Sequence, residues 1–284
     1  MSPRDQRAAI ARETLAIVES GRYSDPSGRV VDVSGDVRAC VAATRLVLPG
    51  EWVAFERPHV PESPSGPGFG VRNESTLKAL ARRVAAGHRR VGVLNFASAR
   101  RPGGGFQSGA EAQEEALARS SALYASLVSE SGSRFYRHGA ALDGLYTDRV
   151  VVSPDCPVFR DASGALLPAV LPATFLTCAA PNATALRANE PRLIARLPQA
   201  FHCRIERVLD VAVMAGCDAL VLGAWGCGVF GNDPDMVAAA FARHLTGVGA
   251  YAGCFKHVDF AVLDSSQGLE RLRAFERVFG ATPV

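Results

Sequence analysis

No stretch of this sequence is both free of charge and long enough to span a bilayer, so a transmembrane protein is not expected. The N-terminal MSPRDQRAAIARETLAIVESGRYS has no apolar core and mixes acids with arginines, which argues against a signal peptide. An excess of one charge is also missing. The net charge is +3, too small to imply a nucleic-acid partner, so a polyanion would have to be held by local geometry. There is no internal repeat, no low-complexity tract and no G-x-x-x-x-G-K-[ST] phosphate loop. The six histidines are scattered, and no Ser-His-Asp set can be read from their order. The seven cysteines are odd in number and irregular in spacing, and Cys178 lies in the apolar run TFLTCAA. Free thiols in a reducing cytoplasm follow from that pattern, not a disulfide framework. Cys254 and His257 offer half a metal site, but no second Cys/His pair has matching spacing, and no metal is expected.

What is present is the makings of one globular unit. The chain has 284 residues, 48% hydrophobic and 21% charged, enough to bury a sizeable core. Apolar residues Ala8, Ala9, Ile10, Leu15, Ala16 and Val18 recur at helical spacing and predict an amphipathic first helix. Asp36–Leu48 reads as helical or mixed, and the Pro/Gly/Ser-rich Pro58–Gly70 as a long loop. Residues 1–70 thus form a helical extension and loop, and 71–284 the core of a single domain. Within the core, helices are expected over Glu74–Ala86, Glu111–Leu127, Glu190–Ala215 (broken near Pro198), Pro234–His244 and Gly268–Phe279. Strands are expected at Val91–Phe96, Arg149–Ser153, Thr174–Ala179, Asp218–Trp225 and His257–Asp264. Strands that are apolar throughout and alternate with helices imply a central sheet covered on both faces, a three-layer α/β/α fold. In such folds ligands bind where loops leave the strand ends.

Two glycine-rich loops follow predicted strands. The first, NFASARRPGGGFQSGAEAQEEALARSSALY, carries Gly103, Gly104 and Gly105, whose bare backbone can approach a phosphate or sugar closely. A flexible surface turn would look the same. Gln113, Glu114 and Glu115 then open a helix. Acids there complement the helix dipole in any protein. They can equally line a pocket wall, one toward a bond and one toward a sugar hydroxyl. Neighbours on a helix point about 100° apart, so the two cannot flank a bond as an ordinary glycosidase pair does. A helix N-terminus also favours the ionised carboxylate, so a general acid here would have to gain its proton affinity when substrate desolvates it or brings phosphate charge near.

The second loop, LVLGAWGCGVFGNDP, spells G-x-G-x-x-G with Gly226, Gly228 and Gly231. As a dinucleotide fingerprint it sits too near the C-terminus and lacks the acid about 20 residues on. As backbone N–H groups at a helix start it suits a diphosphate in any fold. Phe230 is either a face for a nucleotide or a core plug; Trp225 reads as core. Asn73-Glu74-Ser75 is either a helix cap or a contact on the nucleotide side. Arg100 and Arg101 are either solvated or steer a phosphate-rich ligand.

Taken together, Gly103-Gly104-Gly105, seven residues, then Gln113-Glu114-Glu115 resembles the signature of poly(ADP-ribose) glycohydrolases. VRNESTLKA, VLNFASARRPGGG and AQEEALARSSALY resemble the bacterial-type branch, and the resemblance runs from about Val71 to Asp264. It implies a macrodomain with a mixed central sheet that cuts ribose–ribose bonds of poly(ADP-ribose), from the chain end, without cofactor or metal. Glu115 would be the acid that protonates the leaving 2′-oxygen and then activates water. Glu114 would hold the distal ribose. Ser98 stands where animal members carry Asn against that ribose, and Gly103, Gly104, Gly105 and Gln113 would complete that side. Gly226, Cys227, Gly228, Val229 and Phe230 would cradle the diphosphate. The implied partner is poly(ADP-ribose) or ADP-ribose, free or on modified proteins, in reversal of ADP-ribosylation and the response to DNA damage. No direct nucleic-acid or membrane contact is implied. An ADP-ribose-binding macrodomain without activity is the alternative; it would keep both loops but need neither Glu114 nor Glu115.

Overall fold

The computed structural model describes residues 1–49, 51, 67–137 and 143–280. Its centre is β5 (Val91–Phe96), a strand buried on both faces along nearly its whole length. Such a strand needs partners on each side and helices on each face. It pairs in parallel with β7 (Leu166–Cys178) and β8 (Ala219–Leu222). β9 (His257–Ala261) and then β4 (Gly68–Arg72) extend the parallel run. On the other flank β6 (Val150–Arg160) and β3 (Arg45–Val47) run antiparallel. Among the described residues this gives a seven-stranded mixed sheet in the order β3-β6-β7-β5-β8-β9-β4. A two-stranded ribbon, β1 (Arg22–Ser24) with β2 (Val30–Asp32), stands apart from it.

Side chains alternate between two cores, as the period-two geometry of a strand requires. One face of the sheet packs on α8 (Leu197–Met214), α9 (Pro234–Leu245) and α10 (Glu270–Phe279), through Phe201, Phe241 and Phe275. The other packs on α1 (Pro3–Ser20), α2 (Ser34–Ala43), α3 (Thr76–Ala85), α4 (Gln113–Ser120), α5 (Leu123–Val128) and α6 (Glu130–Tyr136), through Ile17, Leu77, Leu117 and Phe135. Short α7 (Ala183–Asn189) closes a satellite cluster with Leu145 and Leu197. The three-layer α/β/α expectation holds, and no helix among the described residues is long and apolar enough to cross a membrane.

Several expectations change in detail. The buried stripe of α1 is Ala11, Thr14 and Ile17, and not the residues that the apolar spacing picked out. The expected Glu111–Leu127 helix breaks at Ser121. That residue is extended and bridges Val158, and its hydroxyl donates to Leu117 O and accepts from Leu123 N. Serine tolerates the break because its side chain replaces backbone partners. β6 runs seven residues beyond Ser153 despite Pro154 and Pro157. β3 covers β6 only at Val150–Val152, so both prolines lie past that pairing, beside a bulge between Ser153 and Cys156, and Pro157 serves there as an acceptor, its carbonyl taking the Ala122 N–H. Pro198 lies in the first turn of α8 and starts that helix, where a missing N–H is harmless. Most of the Pro58–Gly70 loop lies outside the described residues, but its last three residues begin edge strand β4.

Phe260 of β9 is fully buried and stacks on Phe279 at 4.2 Å, with Phe275 at 5.1 Å and Phe241 at 5.4 Å. Phe260→Ala should cost about 3–5 kcal/mol, read as a lowered midpoint in urea denaturation. An unshifted midpoint would mean that this cluster does not hold α9 and α10 to the sheet.

Candidate active site

The parallel strands β4, β5, β8 and β9 end on the same side, and a cleft of about 740 Å³ opens there. Its walls come from the starts of α3 (Ser75, Thr76) and α4 (Ala112, Gln113), the end of β5 (Phe96), and the second glycine loop (Trp225 to Phe230). Two helix N-termini facing one cleft make it a favourable place for an anion.

The local chain folds into place through the first turn of α4. Its N-cap is Ala112, which has no side-chain oxygen to cap with. Three consecutive side chains reach back instead, and each accepts one backbone N–H. Gln113 Oε1 accepts from Phe96 N at 2.9 Å, Glu114 Oε2 from Ser98 N at 2.7 Å, and Glu115 Oε1 from Gly105 N at 3.0 Å. The Gln113 amide also donates to Leu94 O at 2.7 Å and Thr76 Oγ1 at 3.2 Å. Gln113 is thus a brace between α4, β5 and α3 as well as a lining residue. Gly104 lies over both carboxyls at φ +58°, and a Cβ there would stand 2.2 Å from Glu115 Oε1. Only glycine fits that combination.

The two acids differ sharply. Glu114 is 3% exposed, and its Oε1 is buried without a hydrogen-bond partner. Burial pushes its carboxyl up to about 8, against the Ser98 amide bond and with help from the Glu115 charge. Glu115 is half-buried and open on its second oxygen among the described residues. The expectation of a proton affinity raised by substrate at Glu115 is therefore joined by one raised by burial at its neighbour.

The structure brings most of the expected residues into this region. Gln113, Gly226, Gly228, Val229 and Phe230 line the cleft. Glu114, Glu115, Ser98 and Gly103–Gly105 form the adjoining carboxyl-and-amide knot and are not among its lining residues. The Ser98 hydroxyl accepts from Arg100 N and Arg101 N, at 3.2 and 3.1 Å, which shapes the turn into the glycine loop. Gly226, at φ +74°, is pinned by Asn232, whose amide donates to Gly226 O and Pro181 O. Cys227 is also absent from the lining; burial holds its thiol neutral, pushed up to about 12. Trp225 is core, as expected. Phe230 does both things considered for it: it packs on the core, 6.2 Å from the Tyr146 ring, and lines the cleft.

Sequence reasoning missed Phe96, Leu263 and Arg271 in the cleft wall. Phe96 sits inside the VLNFASARRPGGG segment but reads there as strand core, and no motif marks Leu263 or Arg271, which arrive just after β9 and on α10. Arg271 is ion-paired to Asp264 at 2.8 Å. Burial alone would raise the Asp264 carboxyl, but bonds from Arg271, Ser266 and Leu272 hold it far below the usual range. Asn73 clips the same residue by two backbone bonds, Ser75 caps α3, and Glu74 pairs with Arg82. Among the described residues no group of three or more His, Cys, Asp or Glu side chains is placed to hold a metal ion.

A macrodomain-like α/β/α fold with a carboxyl pair beside an anion-ready cleft defines the class of this protein. The family model described as "Microbial-type PARG, catalytic domain" matches residues 11–161. A poly(ADP-ribose) glycohydrolase from Thermomonospora curvata is 45% identical, with a TM-score of 0.90 over 97% of this chain and 100% of that one. A second structure from that organism, bound to the inhibitor ADP-HPD, is 46% identical with a TM-score of 0.88 over 96% and 99%. A poly(ADP-ribose) glycohydrolase from Deinococcus radiodurans in complex with ADP-ribose is 40% identical, with a TM-score of 0.78 over 87% and 97%. No curated protein matches. The chain belongs to the microbial-type poly(ADP-ribose) glycohydrolase family and is an enzyme.

Burial of Glu114 sets a pH signature. Between the ordinary 4.5 and about 8, the unfolded chain ionises this carboxyl while the folded chain keeps its proton. Stability therefore falls as pH rises through that window, by at most about 1.4 kcal/mol per unit. Glu114→Gln should flatten the fall in unfolding free energy measured from pH 5 to 8. An unchanged slope would mean that Glu114 is ionised in the folded protein.

Proposed function

We propose that this enzyme hydrolyses the ribose–ribose O-glycosidic bonds of poly(ADP-ribose) and releases ADP-ribose, working from the chain end. The observation that carries the reading is the knot at the start of α4, which buries one carboxyl and leaves its neighbour half-open beside the cleft. Glu115 protonates the departing ribose 2′-oxygen as an oxocarbenium-like transition state develops, then takes a proton from the attacking water. Glu114, kept protonated at neutral pH by burial, holds the ribose side in place through its bond from Ser98 N and sets no second carboxylate charge beside Glu115. Ser98 and Gly103–Gly105 shape the ribose side, while Gly226–Phe230 face the diphosphate. The whole chain acts as one glycohydrolase unit, since Ile17, Val37 and Cys40 of the N-terminal extension share a core with the sheet.

The two acids also support a second reading. Glu114 holds its proton up to about 8 and would itself be the donor. In that case kcat falls above about pH 8, as the proton is lost, and Glu114→Gln loses turnover as completely as Glu115→Gln.

The natural substrate would be polymer attached to modified proteins, in reversal of ADP-ribosylation after DNA damage. Free thiols at all seven cysteines fit a reducing, cytoplasmic setting.

Glu115→Gln should bind ADP-ribose with near-wild-type affinity by calorimetry yet lose about 1,000-fold or more in polymer turnover. Wild-type turnover by that variant would remove Glu115 from the mechanism.

A further inference from the structure

Between the first glycine loop and α4, three consecutive backbone carbonyls are each held by a different arginine. Arg4 Nε donates to Ser108 O at 2.9 Å, Arg7 Nε to Gly109 O at 2.9 Å, and Arg119 Nη1 to Ala110 O at 2.6 Å. Arg7 also reaches Glu111, with Nη1 2.7 Å from Oε2. Two of these arginines come from α1, about a hundred residues upstream, and the third from the last turn of α4.

The chemistry of the linker calls for this. Ser108–Ala110 leaves a short 3-10 turn (Phe106–Ser108) before α4 begins. Carbonyls that leave regular structure still need donors. Guanidinium N–H groups bind them strongly, and the planar fork fixes direction as well as distance. The contact is not confined to the arginines. Ala11 of α1 packs with Phe106 and Ala118, and Thr14 Oγ1 donates to Arg119 O at 2.5 Å. Arg119 is itself buried. Burial, then repulsion from Arg7, disfavour its charge, while Glu115 and Glu111 favour it. The clasp and the acid helix are therefore electrically in touch.

From this geometry we infer that Arg4, Arg7 and Arg119 are positioning residues for the reaction: they fix Ser108–Ala110 so that the Gly105 amide stays in register with the Glu115 carboxyl. The inference rests on the glycohydrolase reading. It gives α1 a task beyond packing. The helix supplies two of the three donors that set the spacing between the glycine loop and the acids.

The test uses the full chain with Arg4→Ala/Arg7→Ala combined, and Arg7→Ala beside Arg7→Lys. Arg119 is left intact because its burial risks misfolding on substitution. The double variant should lose about 10- to 100-fold in kcat on poly(ADP-ribose), the scale of an ångström-sized misplacement. Its ADP-ribose dissociation constant, by calorimetry, should stay within about threefold of wild type. The urea midpoint should hold, and amide hydrogen exchange over residues 103–115 should quicken. Arg7→Lys keeps the charge but cannot serve Gly109 O and Glu111 together, so it should recover only part of the kcat lost in Arg7→Ala. The inference is overturned if the double variant keeps wild-type kcat and exchange rates, or if its activity falls only in step with its folded fraction. A wild-type chain inert toward polymer would sink the glycohydrolase reading instead, and the exchange rates would still decide the clasp.

Discussion

Three side chains in a row, Gln113, Glu114 and Glu115, each take a backbone N–H from a different place: Phe96 at the end of β5, Ser98 just after it, and Gly105 in the glycine loop. The rest of the site depends on that arrangement. α4 starts after Ala112 with no side-chain cap, while its first-turn side chains turn back and accept the N–H groups of the preceding segment. The arrangement also hangs the helix on the central strand, so the acids inherit the rigidity of the most deeply buried part of the sheet. The same bonds set the electrostatics. Holding Glu114 against Ser98 buries it, and burial outweighs the helix dipole and the amide in deciding its proton affinity.

The fold surrounds this knot with complementary partners. On one side, parallel strands β4, β5, β8 and β9 deliver their ends to a common cleft. Parallel strands joined by helices place all such ends on one side, which is why a ligand site forms there. On the other side, α1 and the end of α4 hold the linker carbonyls. The acids thus stand between a cleft faced by helix N-termini and a linker whose carbonyls are held by guanidinium donors. The second glycine loop closes the cleft from β8, with Asn232 fixing its path and Val229 left largely exposed at the rim.

Much of this was legible in the residues. The run Val91–Phe96 marked the strand to the residue, because a strand buried on both faces is apolar along nearly its whole length, with buried Asn95 bonded to Thr177. Pro234 and Glu270 mark helix starts within two residues of expectation, because caps and first-turn residues are local chemistry. Strands were harder. β4 was hidden by its glycines, and the part of β6 beyond Ser153 by Pro154 and Pro157, since both compositions normally signal loops. β4 is a strand through its pairing with β9 at the sheet edge, and β6 continues past Ser153 because it stays paired with β7. The helix expected through Ser121 failed for a related reason: a contact with β6 overrode local propensity.

The sequence by itself determined the α/β alternation, the two glycine loops and the joint spacing of Gly103–Gly105 with Gln113–Glu115. These follow from side-chain size, period and order along one short stretch. Tertiary structure alone decided which acid is buried, that Gln113 braces the sheet, that Phe96, Leu263 and Arg271 line the cleft, and that Arg4 and Arg7 grip the linker. Each of those depends on groups brought together from distant parts of the chain. Burial and hydrogen-bond partnership are properties of a position in space, and no local pattern encodes them.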